Sequence, residues 1–200
     1  MTEPLCNNAA TGGFQVISLD QLSAKEVTPA NLIVEEAWIA IYRTIANANA
    51  LLEALPKVSD LDDTRAGEIE GQARALRAMA HFDLLRMFGE HWDGASRYGI
   101  PVIDFVQTIE DQPTRATVES SYTFIINELK AAANLVNAED VSRQYVNLNT
   151  VNALLARVQL YHKTPTEAAA YATKVIDNAT YSLYEPNFYA ATFVERRTPE

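Results

Sequence analysis

The chain has 200 residues, of which 48% are hydrophobic and 21% are charged, and its formal net charge is −10. This composition is that of a globular protein long enough to bury a core in one domain or two small ones. The acidic balance argues against nucleic acid as a partner, because no basic surface is available to neutralise phosphates. The single cysteine, Cys6, excludes an internal disulfide and a cysteine zinc cluster, and no run of about 18 apolar residues could span a membrane.

The N-terminal stretch that ends in Gly12–Gly13 is polar, and we expect it to be a tail. The following residues, Phe14–Leu19, are apolar and could be extended, although they are too few to predict a sheet. We therefore assign residues 1–30 to an N-terminal tail and extended segment, and residues 31–200 to a helical domain that is incomplete at its C-terminus. No apolar signal-peptide core is present, so any targeting or lipid-attachment signal is expected outside this chain.

Five helices are predicted from apolar residues that recur every three or four positions. They run from about Asn31 to Leu55, Asp62 to Gly89, Thr117 to Val136, Val151 to His162 and Thr166 to Asn178. The expected N-terminal caps are Thr28 for the first helix, Thr117 for the third, and Asn149 or Thr150 for the fourth.

The segment Glu68–Gly89 has the clearest helical pattern in the chain. One face is expected to be buried, and it consists of Ile69, Ala73, Leu76, Ala80, Leu84 and Phe88. The charged residues of the helix, including Arg74 and Arg77, lie largely off this stripe. Its alanines are small enough to let neighbouring helices approach closely, and Gly89 stands where a C-terminal helix glycine is expected.

The connections between these helices define the architecture. A short turn joins the first two helices, which predicts an antiparallel hairpin. Residues 91–115 contain glycines, prolines and aromatics, and a connection of about 25 residues is long for a compact domain and often functional. Helix pairs at 31–89 and 117–162, with a third pair beginning at 166, predict an all-α fold. We expect an irregular tetratricopeptide-like helical-hairpin array with long connecting loops.

The sequence predicts no enzyme. Its histidines, His81, His91 and His162, lack metal-binding spacing, and neither a GxSxG motif nor a phosphate-binding glycine loop occurs. Adjacent carboxylates such as Glu35–Glu36 and Asp62–Asp63 are interpreted as solvated helix ends or turns. We expect no catalytic residue, metal or cofactor.

The start of the long connection is the candidate binding site. Glycan capture needs flat aromatic faces for the C–H side of a sugar ring, and amides, carboxylates or arginine for its hydroxyls. The segment offers these groups in His91, Trp92, Asp93, Arg97 and Tyr98. For this role we expect Trp92 to be solvent-accessible and in a concavity. The open alternative is that Trp92 plugs the end of the helical array.

The other conspicuous side chains are interpreted as structural. Trp38 lies beside the apolar stripe of the first helix, so we expect it in the core. Arg77 and Arg157 are expected to pair with carboxylates or helix ends. Packing of the last segment is the expected role of four aromatics, Tyr181, Tyr184, Phe188 and Tyr189.

Several of these motifs follow one another in the order of a known family. They are Trp38, Tyr42, Ile45 and Ala48–Asn49, then Gln72–Ala78 with Phe82, Leu84 and Phe88–Gly89, then Glu128–Leu129 with Ala132, and finally Leu154–Tyr161. In this order they resemble the SusD/RagB family of outer-membrane nutrient-binding lipoproteins, over about residues 30–195. The chain departs from the family pattern where Gln72 replaces a glutamate and where Gly89–Trp92 replaces a glycine–aspartate–x–proline turn.

The resemblance implies a function that composition and periodicity do not. It implies a non-enzymatic protein that captures oligosaccharide at the cell surface and passes it to a SusC-like TonB-dependent transporter. It also implies an outer-membrane surface lipoprotein, of which this chain is the helical portion. The alternative is a generic tetratricopeptide-like scaffold for protein–protein interaction that binds no glycan.

Overall fold

The structure, a computed structural model, describes residues 17–137 and 144–178. Within these ranges the protein is helical and has no strand, which confirms the predicted all-α class. The helices are α1 (Ile17–Ala24), α2 (Leu32–Ala54), α3 (Asp63–Phe88), α4 (Val118–Ala133), α5 (Leu148–Tyr161) and α6 (Pro165–Ile176), with a short 3-10 turn at Leu55–Lys57.

The helices pack mainly against their neighbours along the chain. Helix α3 lies between α2 and α4, and α5 lies between α4 and α6. The sequence paired α4 with α5, and the structure adds a second close pair, α5 with α6. The turn between them contains Lys163 in the left-handed region, with φ of 63°. Stacking of successive hairpins is the arrangement of helical repeat arrays.

Helix α3 is buried on two sides rather than along one stripe. The four alanines in its central part, Ala73, Ala75, Ala78 and Ala80, are all buried, as their small size allows. Leu76, expected in the core, is 41% exposed, whereas Arg77, expected off the buried face, is 5% exposed. The single-stripe prediction was wrong because two helices, α2 and α4, contact α3 from different directions.

Two of the predicted helix caps were also wrong. Thr117 does cap α4, since its Oγ1 accepts a hydrogen bond from the Ser120 N–H. The cap of α2 is Asn31 instead of Thr28, and its Oδ1 accepts from two backbone N–H groups of the first turn. The cap of α5 is Asn147 instead of Asn149 or Thr150.

The prediction of an extended segment was wrong for residues 17–19, which belong to α1. Helix α1 is attached to α2 because the Asn31 side-chain amide donates to the Ser18 carbonyl at 2.9 Å and to Gln21 Oε1 at 2.8 Å. Leu22 adds a buried contact. An Asn31 side chain that caps one helix and binds another is a tertiary feature, which a local pattern cannot reveal.

Of the helices in the described part, none has the length and hydrophobicity needed to cross a membrane. Cys6 lies outside the described residues, and so do four aromatics predicted to pack, Tyr181, Tyr184, Phe188 and Tyr189.

Candidate functional site

The connection between α3 and α4 begins with a closed loop, residues 90–98, which we call the Trp92 loop. The Glu90 N–H donates to the Tyr98 carbonyl at 2.9 Å and closes the loop at its base. Just beyond, Gly99 donates to the Ala116 carbonyl at 3.0 Å, and Ala116 donates to the Ile100 carbonyl at 2.9 Å. The loop is therefore held by backbone pairing, and its two ends are fixed to the body of the protein.

Ser96 organises the interior of the Trp92 loop. Its Oγ donates to Glu90 Oε2 at 2.5 Å and accepts from the Tyr98 N–H at 3.0 Å. Its carbonyl accepts from the Val118 N–H at 3.0 Å, which joins the loop to the first turn of α4. A buried serine that satisfies three partners gives this loop a defined shape.

The base of the loop depends on a close approach of backbones. A Cβ on Gly99 would lie 2.6 Å from the Thr117 carbonyl, and one on Gly89 would lie 2.8 Å from Leu85 Cδ1. Gly89 does follow the helix as predicted, but its φ of −109° is not left-handed, so the reason for glycine is space. Arg115 stabilises the base of the loop, because its Nη1 donates to the carbonyls of Phe88 at 3.0 Å and of Gly99 at 2.6 Å.

Trp92 is exposed at the tip of this loop. Its residue surface is 60% accessible, and its ring packs edge-on with the His91 ring, 5.3 Å away between centroids. The expectation of solvent access is therefore met, and the alternative that Trp92 plugs the helical array is not. Four clefts of about 330 to about 560 Å³ are lined by residues other than Trp92, so the ring stands outside them.

The other predicted site residues lie on the same loop but divide into two groups. Asp93, Arg97 and Tyr98 are exposed. Arg97 Nη2 donates to the Tyr98 hydroxyl at 2.8 Å, and its guanidinium lies over the Tyr98 ring at 4.9 Å. Asp93 Oδ1 accepts from the Ala95 N–H and shapes the turn.

His91 is partly buried and lies between the rings of Trp92 and Tyr161. Its ring lies 5.5 Å from that of Tyr161 on α5, and its carbonyl accepts a hydrogen bond from the Tyr122 hydroxyl at 3.2 Å. Partial burial, and secondarily the nearby Arg86 guanidinium, lowers the pKa of His91. Burial has the opposite effect on the acidic Tyr122 hydroxyl and raises its pKa to about 12. Four of the five predicted side chains are therefore exposed on one loop, and the fifth, His91, is partly buried against Tyr161.

A residue far along the chain completes the loop and was missed by the sequence analysis. Lys163, in the turn between α5 and α6, donates from Nζ to the Trp92 carbonyl at 2.6 Å. Its neighbour His162 faces Glu119 of α4, with 2.9 Å between Nε2 and Oε2. Because Lys163 lies 71 residues after Trp92, no local sequence pattern could indicate this contact.

A second polar cluster, which we call the polar centre, consists of Asn49, Arg77, His81 and Glu128. Arg77 donates from Nε to Glu128 Oε2 at 2.8 Å and from Nη1 to Asn49 Oδ1 at 2.8 Å. Glu128 also accepts from Arg74 Nη1 at 2.8 Å. The prediction that Arg77 is structural and pairs with a carboxylate is confirmed.

His81 lies beside these charges in a neutral form that its partners define. The Ile103 N–H donates to His81 Nε2 at 3.1 Å, so the ring proton is on Nδ1, which donates to the Arg77 carbonyl at 2.8 Å. Burial lowers the pKa of His81 to about 4, with a smaller contribution from the Arg77 charge.

Two further structural predictions have different outcomes. Trp38 packs against the core through Tyr42 and Phe88, with ring centroids 4.8 and 4.9 Å away, although it is only partly buried. Arg157 is exposed and makes no ion pair with residues 17–137 or 144–178, so the expected carboxylate partner is absent from that part of the chain. No group of three or more His, Cys, Asp or Glu in the described ranges could hold a metal ion.

Comparison with known proteins supplies the family. Residues 2–161 match the SusD-like family described as "Starch-binding associating with outer membrane". The chain belongs to this SusD-like family. Among curated relatives, SusD-like protein P2 of Formosa agariphila is 29% identical over 163 residues, which are 79% of this chain and 30% of that protein.

Solved structures agree with the SusD-like assignment. A SusD superfamily protein from Bacteroides vulgatus has a TM-score of 0.82 at 26% identity. The similar region is 92% of this chain and 42% of that protein's chain. A putative sugar binding protein from the same species has a TM-score of 0.76 at 30% identity, over 86% of this chain and 40% of its own. The SusD-like chain therefore spans less than half the length of these relatives.

Proposed function

We propose that this SusD-like chain is the helical part of a non-enzymatic protein that binds oligosaccharide through the Trp92 loop. The observation that carries the proposal is the exposed Trp92 on a loop that backbone hydrogen bonds close at its base and fix at its turns. A fixed, flat aromatic face can stack on the C–H side of a sugar ring without first paying to order the loop. The family description and the similar putative sugar binding protein support the same ligand class.

The neighbours of Trp92 provide the polar contacts that a sugar needs. Asp93 and Arg97 are exposed on the same loop, and they supply a carboxylate acceptor and guanidinium donors for hydroxyl groups. Arg97 and Tyr98 are already paired, so this part of the surface is held in place before a ligand arrives. His91 supports the loop by packing against Tyr161 rather than by contacting the ligand.

Affinity electrophoresis through gels that contain soluble starch tests the proposal. We expect starch to retard the protein, and we expect Trp92→Ala to reduce the affinity at least about tenfold, since truncating a central aromatic contact often costs roughly 2 kcal/mol or more. Ile109→Ala is the matched control, because Ile109 is a fully exposed apolar residue of the same connection.

Three outcomes decide the result. Loss of retardation in Trp92→Ala but not in Ile109→Ala supports the loop as the site. Equal retardation of the wild type and Trp92→Ala contradicts it. Absence of retardation on starch and on other neutral glucans, together with capture of a protein partner, favours the scaffold alternative.

The transfer step is a finer part of the same proposal. We infer that the whole protein is a surface lipoprotein of the outer membrane that hands its ligand to a SusC-like TonB-dependent transporter. The family description supports outer-membrane association. Co-purification of the full-length protein with a TonB-dependent transporter from solubilised outer membranes is the expected result, and a protein recovered alone under the same conditions argues against transfer.

A further inference from the structure

The molecule has a second surface with ligand-binding features, away from the Trp92 loop. Helices α2 and α3 and residues 104–106 enclose a cleft of about 340 Å³, which we call the Arg74 cleft. A neighbouring cleft of about 560 Å³ shares two of its lining residues, Leu52 and Arg74. Each volume is within the usual range of small-molecule sites, which is roughly 300–1,000 Å³.

Two residues of the polar centre, Asn49 and Arg77, line the Arg74 cleft and make it rigid. The Asn49 side-chain amide donates to the carbonyls of Ile103 at 3.2 Å and of Phe105 at 2.8 Å. Arg77 Nη1 donates to the Asp104 carbonyl at 3.2 Å. Three successive residues of the connection are therefore fixed to α2 and α3 through buried side chains, so the cleft is preorganised.

The mouth of the cleft presents three kinds of group that remain available to a ligand. Phe105 is 46% exposed and supplies an aromatic surface. The Asp104 carboxylate is exposed and has no hydrogen bond or ion pair with residues 17–137 or 144–178. Arg74 binds Glu70 through Nε and Glu128 through Nη1, and its Nη2 remains as a donor.

The charges around the cleft indicate which ligands fit. Both arginines that line it are already paired, Arg74 with two carboxylates and Arg77 with Glu128. Asp104 adds a negative charge that has no such partner. An anionic ligand would therefore meet repulsion without a free cation to offset it. An aromatic surface, the carboxylates of Asp104 and Glu53 and one guanidinium donor instead suit a neutral ligand rich in hydroxyl groups.

We propose that the Arg74 cleft is a second carbohydrate site, which binds a short segment of a neutral oligosaccharide. Its ligand class rests on the proposed function, whereas its location does not. Arg74 and Phe88 are about 21 Å apart along α3 at roughly 1.5 Å per residue, and the Trp92 loop starts beyond Phe88. A long oligosaccharide that reaches both sites would gain from having two points of attachment.

Titration with maltoheptaose, followed by two-dimensional amide NMR spectra, tests this site separately from the loop. We expect the backbone amides of residues 104–106 and the Asn49 side-chain amide to shift on addition of the sugar. Phe105→Ala is expected to reduce the cleft affinity at least about fivefold and to leave shifts of the Trp92 loop unchanged. Its fold should be intact, because the Phe105 side chain is exposed and the Asn49 hydrogen bond uses its backbone carbonyl.

The controls separate this inference from the proposed function. Ile109→Ala, outside the cleft on the same connection, should retain both sets of shifts, and an oligogalacturonate should shift neither residues 104–106 nor Asn49. Shifts of the Trp92 loop without shifts in the cleft overturn the second site and leave the proposed function standing. Shifts in the cleft that vanish in Phe105→Ala, without shifts in the loop, support the second site and contradict the assignment to Trp92.

Discussion

The polar centre and the Trp92 loop both contain charged and polar side chains, but the first buries them and the second exposes most of them. In the polar centre, Glu128 accepts from two arginines and Asn49 binds both Arg77 and the connection. Of the buried side-chain atoms left without a partner in the described part, none belongs to it. In the Trp92 loop, hydrogen bonds close the base and leave the tip exposed.

This difference separates residues that hold the fold from residues that can meet a ligand. A buried polar group with every partner satisfied stabilises one arrangement and has no capacity left for binding. An exposed aromatic on a fixed backbone contributes little to folding and is available to a ligand. Substitutions should therefore affect unfolding at the polar centre and binding at the loop, and four measurements can break or sharpen that distinction.

The largest effect on the free energy of unfolding is expected for Glu128→Gln. Among the described residues Glu128 is the one carboxylate that pairs with Arg77, so the substitution leaves a buried guanidinium uncompensated. Breaking a buried pair by removing one partner costs roughly 3–5 kcal/mol, and urea unfolding should show a loss of that order. Glu53→Gln, in an exposed pair with Lys57, should cost less than about 1 kcal/mol. Equal losses in the two variants would contradict the structural role of the polar centre.

The next effect is a pH dependence that comes from His81. Its folded pKa of about 4 lies below the ordinary value of 6.5, so the unfolded chain takes up the proton first. The stability that His81 contributes is present above pH 6.5 and is lost as the pH falls toward 4. A shift of this size corresponds to roughly 3 kcal/mol at most.

Urea unfolding between pH 7 and pH 4 measures this contribution. Carboxylates titrate in part of the same window, so the informative quantity is the difference between the wild type and His81→Gln. Glutamine cannot become cationic, and we expect its profile to be flatter over this range. Parallel profiles for the two proteins would show that His81 does not couple folding to protonation.

The same contrast explains how much could be predicted from the sequence. Helices α2 to α6 follow from apolar spacing, and Thr117 was predicted as the cap at the start of one such pattern. Its partner in the structure, Ser120, is only three residues away. Arg77 could be assigned a structural role, but not its partner Glu128, which lies 51 residues further along the chain. Helix α1 was missed because its attachment is the Asn31 side chain rather than its own hydrophobic pattern.

For the candidate site, the sequence identified the exposed side chains but not their support. Trp92, Asp93, Arg97 and Tyr98 are contiguous enough to be recognised as a group of sugar-binding residue types. The partial burial of His91 and the contribution of Lys163 depend on where α5 ends relative to α3. The Arg74 cleft was not recognised at all, since its walls come from three separate stretches of chain. A local sequence pattern shows which residue types are present, and tertiary packing determines which of these residues contact one another.

A smaller effect is expected for Lys163→Met, which keeps the aliphatic stem but removes the donor to the Trp92 carbonyl. Losing one exposed hydrogen bond should change the free energy of unfolding by about 1 kcal/mol or less. Hydrogen exchange of the amides at 90–98 should nevertheless accelerate. Lys174→Met, on α6, is the control and should leave exchange in the loop unchanged. Unaltered exchange in Lys163→Met would mean that the backbone hydrogen bonds of the loop alone fix its shape.

The smallest effect on stability is expected for Arg97→Ala. Arg97 contacts only its neighbour Tyr98 among the described residues, and both are exposed, so the free energy of unfolding should change by less than about 0.5 kcal/mol. Starch affinity should still fall severalfold, because the variant loses guanidinium donors and frees the Tyr98 ring. Arg65→Ala, an exposed arginine at the start of α3 that pairs with Glu68, provides the matched control. If affinity falls equally in both variants, the effect of Arg97 is a general consequence of lost positive charge. A fall in Arg97→Ala alone, with unfolding unchanged, assigns to the loop a role in binding that the polar centre does not share.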